Sequence, residues 1–214
     1  LSDNTRRITR VREVCEKYHL GLVTKNTIYP RIHRLSYCPI YKAGSTTWLY
    51  NLCLLNDVPE SQLLNGKEQI STIARRVIPE MEYPEAEEVL IKTRTTKLLV
   101  VRHPFERLLS AYRDKLENSV AGREHGTIHF YEKYGSKIVR KYREKNFIPP
   151  RDDQVIRKQG IPSPAGIEPT FGEFVEYLID TDLASYGDDH WMPYYLFCTP
   201  CSLKYDIVAK VTNN

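Results

Sequence analysis

Hydrophobic positions along this chain recur with two different periods, and the switches between them mark its organisation. "RITRVREVCEKYHL" (7–20) spaces its apolar residues as a basic amphipathic helix. "RLSYCPIY" (34–41) reads as a strand. From Thr46 onward apolar residues fall at Trp48, Leu49, Leu52 and Leu55, which is helical spacing again, with Trp48 on the core stripe. A strand therefore passes through a turn into a helix. "NDVPESQLLNGKEQ" (56–69) reads as a loop. "YPEAEEVLIKT" (83–93) reads as a short helix with Pro84 at its start and acids in its first turn.

"TTKLLVVRHPFERLLSAYRDKLE" (95–117) repeats the strand–turn–helix plan. "KLLVV" is a continuous apolar run, as a strand buried on both faces requires. It ends at Arg102, and Pro104 suits the first turn of a helix. Phe105, Leu108, Leu109, Tyr112 and Leu116 are predicted to share the buried face. Arg107, Ser110 and Asp114 fall opposite, and Arg107 and Arg113 are assigned to solvent. Residues 118–148 read as a mobile basic segment with some helix, and 161–169 as a Pro-rich loop. "TFGEFVEYLID" (170–180) carries a capping box, Thr170 with Glu173, and Phe171, Phe174 and Leu178 form its apolar side. "SYGDDHWMPYY" (185–195) is a polar–aromatic loop and "KYDIVAKV" (204–211) a last strand. The alternation predicts an α/β fold, a central parallel sheet flanked by helices, with a ligand at the carboxyl ends of the strands.

Composition narrows this picture. At 214 residues and 41% hydrophobic content, the chain suits one α/β domain with a real core. It has no apolar stretch of about 20 residues, so nothing in it reads as a membrane span. Beginning at Leu1 and stopping at Asn214 just past a strand, it reads as a piece of a longer protein, from which an anchor could have been removed. Lys plus Arg outnumber Asp plus Glu by 31 to 27, and the excess is local. Arg6, Arg7, Arg10 and Arg12 open the chain; Lys133, Lys137, Arg140, Lys141, Arg143 and Lys145 cluster later among tyrosines. Such clusters suit an anionic partner when they are not merely solvated faces. Of the cysteines, only Cys198 and Cys201 stand as C-x-x-C, with no second pair or nearby His, which argues against zinc. Disulfides among Cys15, Cys38, Cys198 and Cys201 would need an oxidising compartment. The odd one, Cys53, lies on a helical apolar stripe and is predicted to be a buried free thiol.

The first turn carries the chemistry. "YKAGSTTW" places Lys42, small residues and hydroxyls where a strand becomes a helix, and a helix N-terminus offers unpaired N–H groups to an anion. A nucleotide-triphosphate loop would have a first glycine and a lysine after the second, and neither is present. No acid closes the "KLLVV" strand to hold Mg²⁺; the strand ends in Arg102. A lysine at one turn, and at the other an arginine with a serine eight residues on, fit a nucleotide with two separate phosphate groups and require no metal.

"YCPIYKAGSTTW" and "VVRHPFERLLSAYRDKLE" together resemble the Golgi carbohydrate sulfotransferases of the chondroitin 4-O, dermatan 4-O and HNK-1 group, and "DDHWMPYYLFCTPCSLKYDIVAKV" looks like the same family's later stretch. The resemblance implies a P-loop-like sulfotransferase fold in a single catalytic domain over 1–214. It implies 3′-phosphoadenosine 5′-phosphosulfate as donor and 3′,5′-diphosphoadenosine as product. It further implies an anionic glycan acceptor rather than nucleic acid, and a luminal Golgi location through an N-terminal anchor absent from this chain. Tyr41, Lys42, Ala43, Gly44, Ser45, Thr46 and Thr47 match the family's 5′-phosphosulfate loop, and Arg102 to Ser110 its 3′-phosphate motif, with Arg102 and Ser110 as main ligands. The family usually has Pro where Tyr41 stands and Cys where Ser45 stands; neither change removes the lysine or the backbone donors. It also continues well past the position of Asn214.

In that chemistry a sugar hydroxyl attacks sulfur in line, and Lys42 stabilises charge on the leaving oxygen. The general base is His190, flanked by Asp188 and Asp189, or else Glu117. Lys137, Arg140 and Lys141 are the candidate acceptor contacts. Two other classes stay open: a non-catalytic glycosaminoglycan-binding module on the same scaffold, and a nucleotide kinase.

Overall fold

The computed structural model describes residues 2–20, 31–32, 34–78, 81, 95–117, 119–120, 127–143, 146 and 166–211. They fall into two compact units, one formed by Leu1–His103 with Met192–Asn214, the other by Pro104–Trp191. The predicted helix at 83–93 and Lys145 lie outside the described residues.

The first unit is built on a four-stranded sheet in the order β1 (Arg31–Ile32), β2 (Leu35–Cys38), β3 (Thr96–Val101), β4 (Ile207–Lys210). The three longer strands are parallel, as expected: Leu35 to Cys38 register with Thr96 to Leu99, and Leu98 to Val101 with Ile207 to Lys210. The two-residue β1 turns back antiparallel on β2. Both sheet faces are covered, which is why "KLLVV" has no polar alternation. Leu98 and Val100 pack with Tyr37, Leu52, Ile73 and Ile78 on one side. Leu99 packs with Cys38, Ile40, Ala43, Tyr205 and Val208 on the other.

Helix α1 (Asp3–Lys17) begins at an N-cap, Ser2, whose side chain accepts from the Thr5 N–H. Its role is to cover the free edge of β4. The Asn4 side chain donates to the Asp206 carbonyl and accepts from the Val208 N–H, both at 2.9 Å, pairing with β4 as a neighbouring strand would. A Cys15–Cys201 disulfide anchors its other end, and Cys38–Cys198 ties β2 to the segment before β4. The C-x-x-C cysteines thus serve two different bridges, and Cys53 is the buried free thiol, its pKa raised by burial. Helix α2 (Ser45–Leu55) follows β2. The stretch 56–69 is not wholly a loop: Pro59 starts a short helix α3 (Glu60–Leu64) that buries Leu63, and Pro fits a helix start as readily as a turn. Helix α4 (Ile70–Val77) packs against α2.

The second unit opens with α5 (Pro104–Lys115). Its buried face is the predicted stripe without Phe105: Leu108, Leu109, Tyr112 and Leu116 pack in one core, widened by Arg107 and Ala111. Arg107 is 5% exposed and Ala111, Tyr112 and Leu116 are buried, while Phe105 is 77% exposed. The reason is polar: the Arg107 guanidinium donates to the Asp189 carbonyl at 2.8 Å, so an arginine assigned to solvent is an interior strut. Helix α6 (Ile128–Phe130) runs through a π-helical stretch, Tyr131–Gly135, into α7 (Ser136–Tyr142). The predicted capping box opens α8 (Phe171–Asp180). A helical turn, α9 (Leu183–Tyr186), interrupts the polar–aromatic loop. The core is an aromatic cluster in which Trp191 meets Tyr134 at 4.9 Å and Phe174 at 5.3 Å between ring centroids.

Candidate active site

In the first unit, the chain leaves β2 through a turn at Tyr41–Gly44 and enters α2. Two left-handed residues shape the turn, Lys42 at φ 65° and Gly44 at φ 79°. Glycine pays little for that conformation, whereas lysine is strained in it, a cost that functional loops commonly carry. Ala43 is fully buried and its N–H closes the turn on the Ile40 carbonyl at 3.2 Å. The first intrahelical bond is Trp48 N–H to the Gly44 carbonyl. Among the described residues, the N–H groups of Ser45, Thr46 and Thr47 therefore lack an acceptor, and no side chain caps them. Ser45 is buried; Thr46 and Thr47 are exposed. Tyr41, half-buried, packs edge-on to Phe197 and accepts from Arg75 at 3.4 Å.

Arg102, at the end of β3, comes to the same turn. Its Nη1 lies 3.5 Å from the Lys42 carbonyl, although sixty positions separate the two residues. Its backbone is held by a residue that periodicity did not flag. Tyr194 opens α10 (Tyr194–Phe197), and its hydroxyl donates to the Arg102 carbonyl at 2.8 Å and accepts from the Arg102 N–H at 3.2 Å. No local signal in "WMPYY" announces such a contact, because its partner lies 92 positions away.

The second unit holds the other candidates. Ser110 is half-buried on α5. Glu117 follows the end of α5, half-buried, and acts on Tyr112. Burial, and then the charges of Glu117, Glu173 and Glu168, push the Tyr112 phenol up to about 12 against the pull of Arg143. His190 is the more organised group. Its Nδ1 lies 2.6 Å from Asp188 Oδ1, which also accepts the His190 N–H at 3.1 Å, and the ring stands edge-on to Phe130. Asp188 Oδ2 accepts from the Tyr134 hydroxyl at 3.1 Å. Burial works to raise the Asp188 pKa, but the His190 hydrogen bonds and charge and the Tyr134 hydroxyl together hold it below the usual carboxylate value. An ionised Asp188 accepts a hydrogen bond from the Nδ1–H of a neutral imidazole and so leaves Nε2 as its basic nitrogen.

The basic cluster separates into two kinds of residue. Arg143 makes a fork to Glu173 at 2.7 Å through both Nε and Nη2, and donates to the Gly166 and Glu168 carbonyls, so it holds α7 to the start of α8. Lys141 pairs with Asp180 at 3.0 Å on the surface. Lys133, Lys137 and Arg140 are exposed and form no ion pair among the described residues.

With this geometry in view, the comparisons are specific. A model described as the sulfotransferase family matches residues 25–213. Carbohydrate sulfotransferase 14 of Mus musculus is 33% identical over 183 residues, covering 83% of this chain and 40% of the relative. Carbohydrate sulfotransferase 8 of Mus musculus is 28% identical over 211 residues, 94% and 45%. Carbohydrate sulfotransferase 11 of Rattus norvegicus is 29% identical over 197 residues, 87% and 49%. The chain thus spans less than half the length of these relatives. No solved structure matches it.

Proposed function

The chain belongs to the sulfotransferase family, and from that premise we propose that it is the catalytic part of a carbohydrate sulfotransferase of the Golgi lumen. Its acceptor in this reading is a glycosaminoglycan of chondroitin or dermatan type, sulfated at the GalNAc 4-hydroxyl. The observation that carries the reading is the convergence of Lys42 and Arg102, from two distant motifs, at a helix start whose first three N–H groups have no partner among the described residues. That chemistry suits a doubly phosphorylated nucleotide: backbone N–H donors and one ammonium for the 5′ side, a guanidinium fork for the 3′-phosphate.

When bound, 3′-phosphoadenosine 5′-phosphosulfate supplies an activated sulfuryl group, whose transfer to the hydroxyl oxygen releases 3′,5′-diphosphoadenosine. Lys42 and the Ser45–Thr47 N–H groups stabilise the charge that grows on the leaving oxygen. Tyr41, Ala43 and Gly44 shape the loop, and Arg102 with Ser110 bind the 3′-phosphate. His190 takes the hydroxyl proton at Nε2, oriented by Asp188; Glu117 is the alternative base. Lys137, Arg140 and Lys141 meet the acidic polymer.

Thermal shift and sulfate transfer test the reading together. 3′,5′-Diphosphoadenosine should raise the melting temperature where Mg-ATP does not. Transfer should be greater to desulfated chondroitin or dermatan than to a glucuronyl-terminated glycan. Stabilisation by Mg-ATP alone would indicate a kinase. Glycan binding with no nucleotide response would indicate a non-catalytic binding module.

A further inference from the structure

The second unit contains a cavity of about 360 Å³ lined by Lys133, Lys137, Tyr134, Tyr177, Tyr186 and Gly187. Three features point to its occupant. The first is charge. Lys133 lies on the π-helical stretch and Lys137 on α7, four positions on, where two side chains share a face. Lys133 Nζ rests over the Tyr134 ring at 4.9 Å, and neither lysine has an ion-pair partner among the described residues. Of the neighbouring cations, Lys141 is paired with Asp180 and Arg143 with Glu173, and Arg140 does not line the cavity. The second is an aromatic wall. Tyr186 is 73% exposed, a large ring left in water beside two ammoniums. A tyrosine ring beside cations suits a ligand with one apolar face and one negative edge, as a pyranose carboxylate has. The third is connection. The phenol of Tyr134, a cavity wall, donates to Asp188, the carboxylate that holds His190.

We infer that this cavity is a subsite for one uronate ring of the acceptor, with the carboxylate on Lys133 and Lys137 and a sugar face against Tyr186. The inference rests on the glycan-acceptor reading above and adds to it the residues and the sugar they recognise. It shifts the principal contacts from Lys141, which is already paired, to Lys133. It also makes one side chain, Tyr134, the neighbour of both a uronate-binding lysine and the carboxylate that holds His190. Tyr134, over whose ring Lys133 rests, is thereby two hydrogen bonds from the candidate base.

The test is direct binding without donor, by calorimetry, of an unsulfated chondroitin hexasaccharide and its carboxyl-reduced counterpart. The wild-type chain should prefer the carboxylate form. Lys133→Gln with Lys137→Gln should weaken it by about tenfold, as two partly exposed charge contacts would, and erase the preference. Tyr186→Ala should weaken both hexasaccharides alike. Equal binding of the two forms by wild type, or an unchanged preference in the double variant, overturns the subsite. Binding of 3′,5′-diphosphoadenosine to the same samples reports separately on the sulfotransferase reading, so the two can fail independently. All three side chains are exposed, so the variants should keep the wild-type melting temperature.

Discussion

The two units organise their candidate chemistry by different means. In the first, position comes from the main chain: a left-handed turn at Lys42 and Gly44, the start of α2, and a strand end whose own N–H and C=O are gripped by Tyr194. In the second, position comes from side chains holding side chains, Tyr134 to Asp188 to His190, inside an aromatic core. Main-chain donors are fixed by the fold and hold their charge at every pH, so they suit a constant anion such as a phosphate. A carboxylate–imidazole pair changes with proton occupancy, which suits a group that must take up a proton. The difference gives each unit its own way to fail.

The largest effect is expected at Lys42. Lys42→Ala leaves the backbone donors of Ser45–Thr47 in place and removes only the ammonium. Turnover should fall by about a hundredfold or more, the usual cost of losing one group that meets developing charge, with a smaller change in donor KM. Steady-state kinetics read the split. Wild-type turnover in the variant would assign donor binding to the main chain alone and leave the lysine on the surface.

The same division explains what could be read in the sequence. The strand–turn–helix motifs, the capping box and the both-faces-buried β3 are local, and local spacing found them. Periodicity also put Cys53 in the core. On α5 it left Arg107 to solvent, because the partner of that side chain is a carbonyl 82 positions away. It read α3 as loop, because Pro59 serves a turn or a helix start equally well. Tyr194 could not be found, since two adjacent tyrosines in an aromatic loop look alike until β3 lies beside one of them. Within the basic run, Arg143 and Lys141 are paired by Glu173 and Asp180 arriving from α8, whereas Lys133 has no ion-pair partner among the described residues.

Arg102 and Tyr194 test whether the strand end works through its backbone. Arg102→Ala should weaken 3′,5′-diphosphoadenosine by about a hundredfold and adenosine 5′-phosphate far less, since a truncated charge-assisted fork loses the phosphate it held. Tyr194→Phe keeps the ring that packs against the core around Cys38 and Leu99 and deletes two hydrogen bonds. It should reproduce the same selectivity at about tenfold, because the guanidinium remains but its anchor is looser. Titration calorimetry with both nucleotides gives the ratio. A general folding defect would weaken both nucleotides equally, and equal losses would reduce Tyr194 to a packing residue.

The smallest effect expected belongs to the second unit and depends on pH. The folded Asp188 carboxyl sits below its ordinary value, despite burial, because His190 and Tyr134 favour its ionised form. A carboxylate with a lowered folded pKa contributes stability that is fully present above its unfolded value, about 3.9. The contribution is lost as the pH falls through the folded value, because the unfolded chain binds the proton first. Asp188→Asn should therefore cost about 1 kcal/mol near neutrality, where it removes a charged acceptor of three hydrogen bonds. The gap between the variant and wild type should then close as the pH drops below about 4. Comparing the two proteins by urea denaturation across that range cancels the other carboxylates, whose titration is common to both. A gap that stays constant with pH would mean that Asp188 acts by shape alone. The His190 tautomer, and with it the basic Nε2, would then need another source.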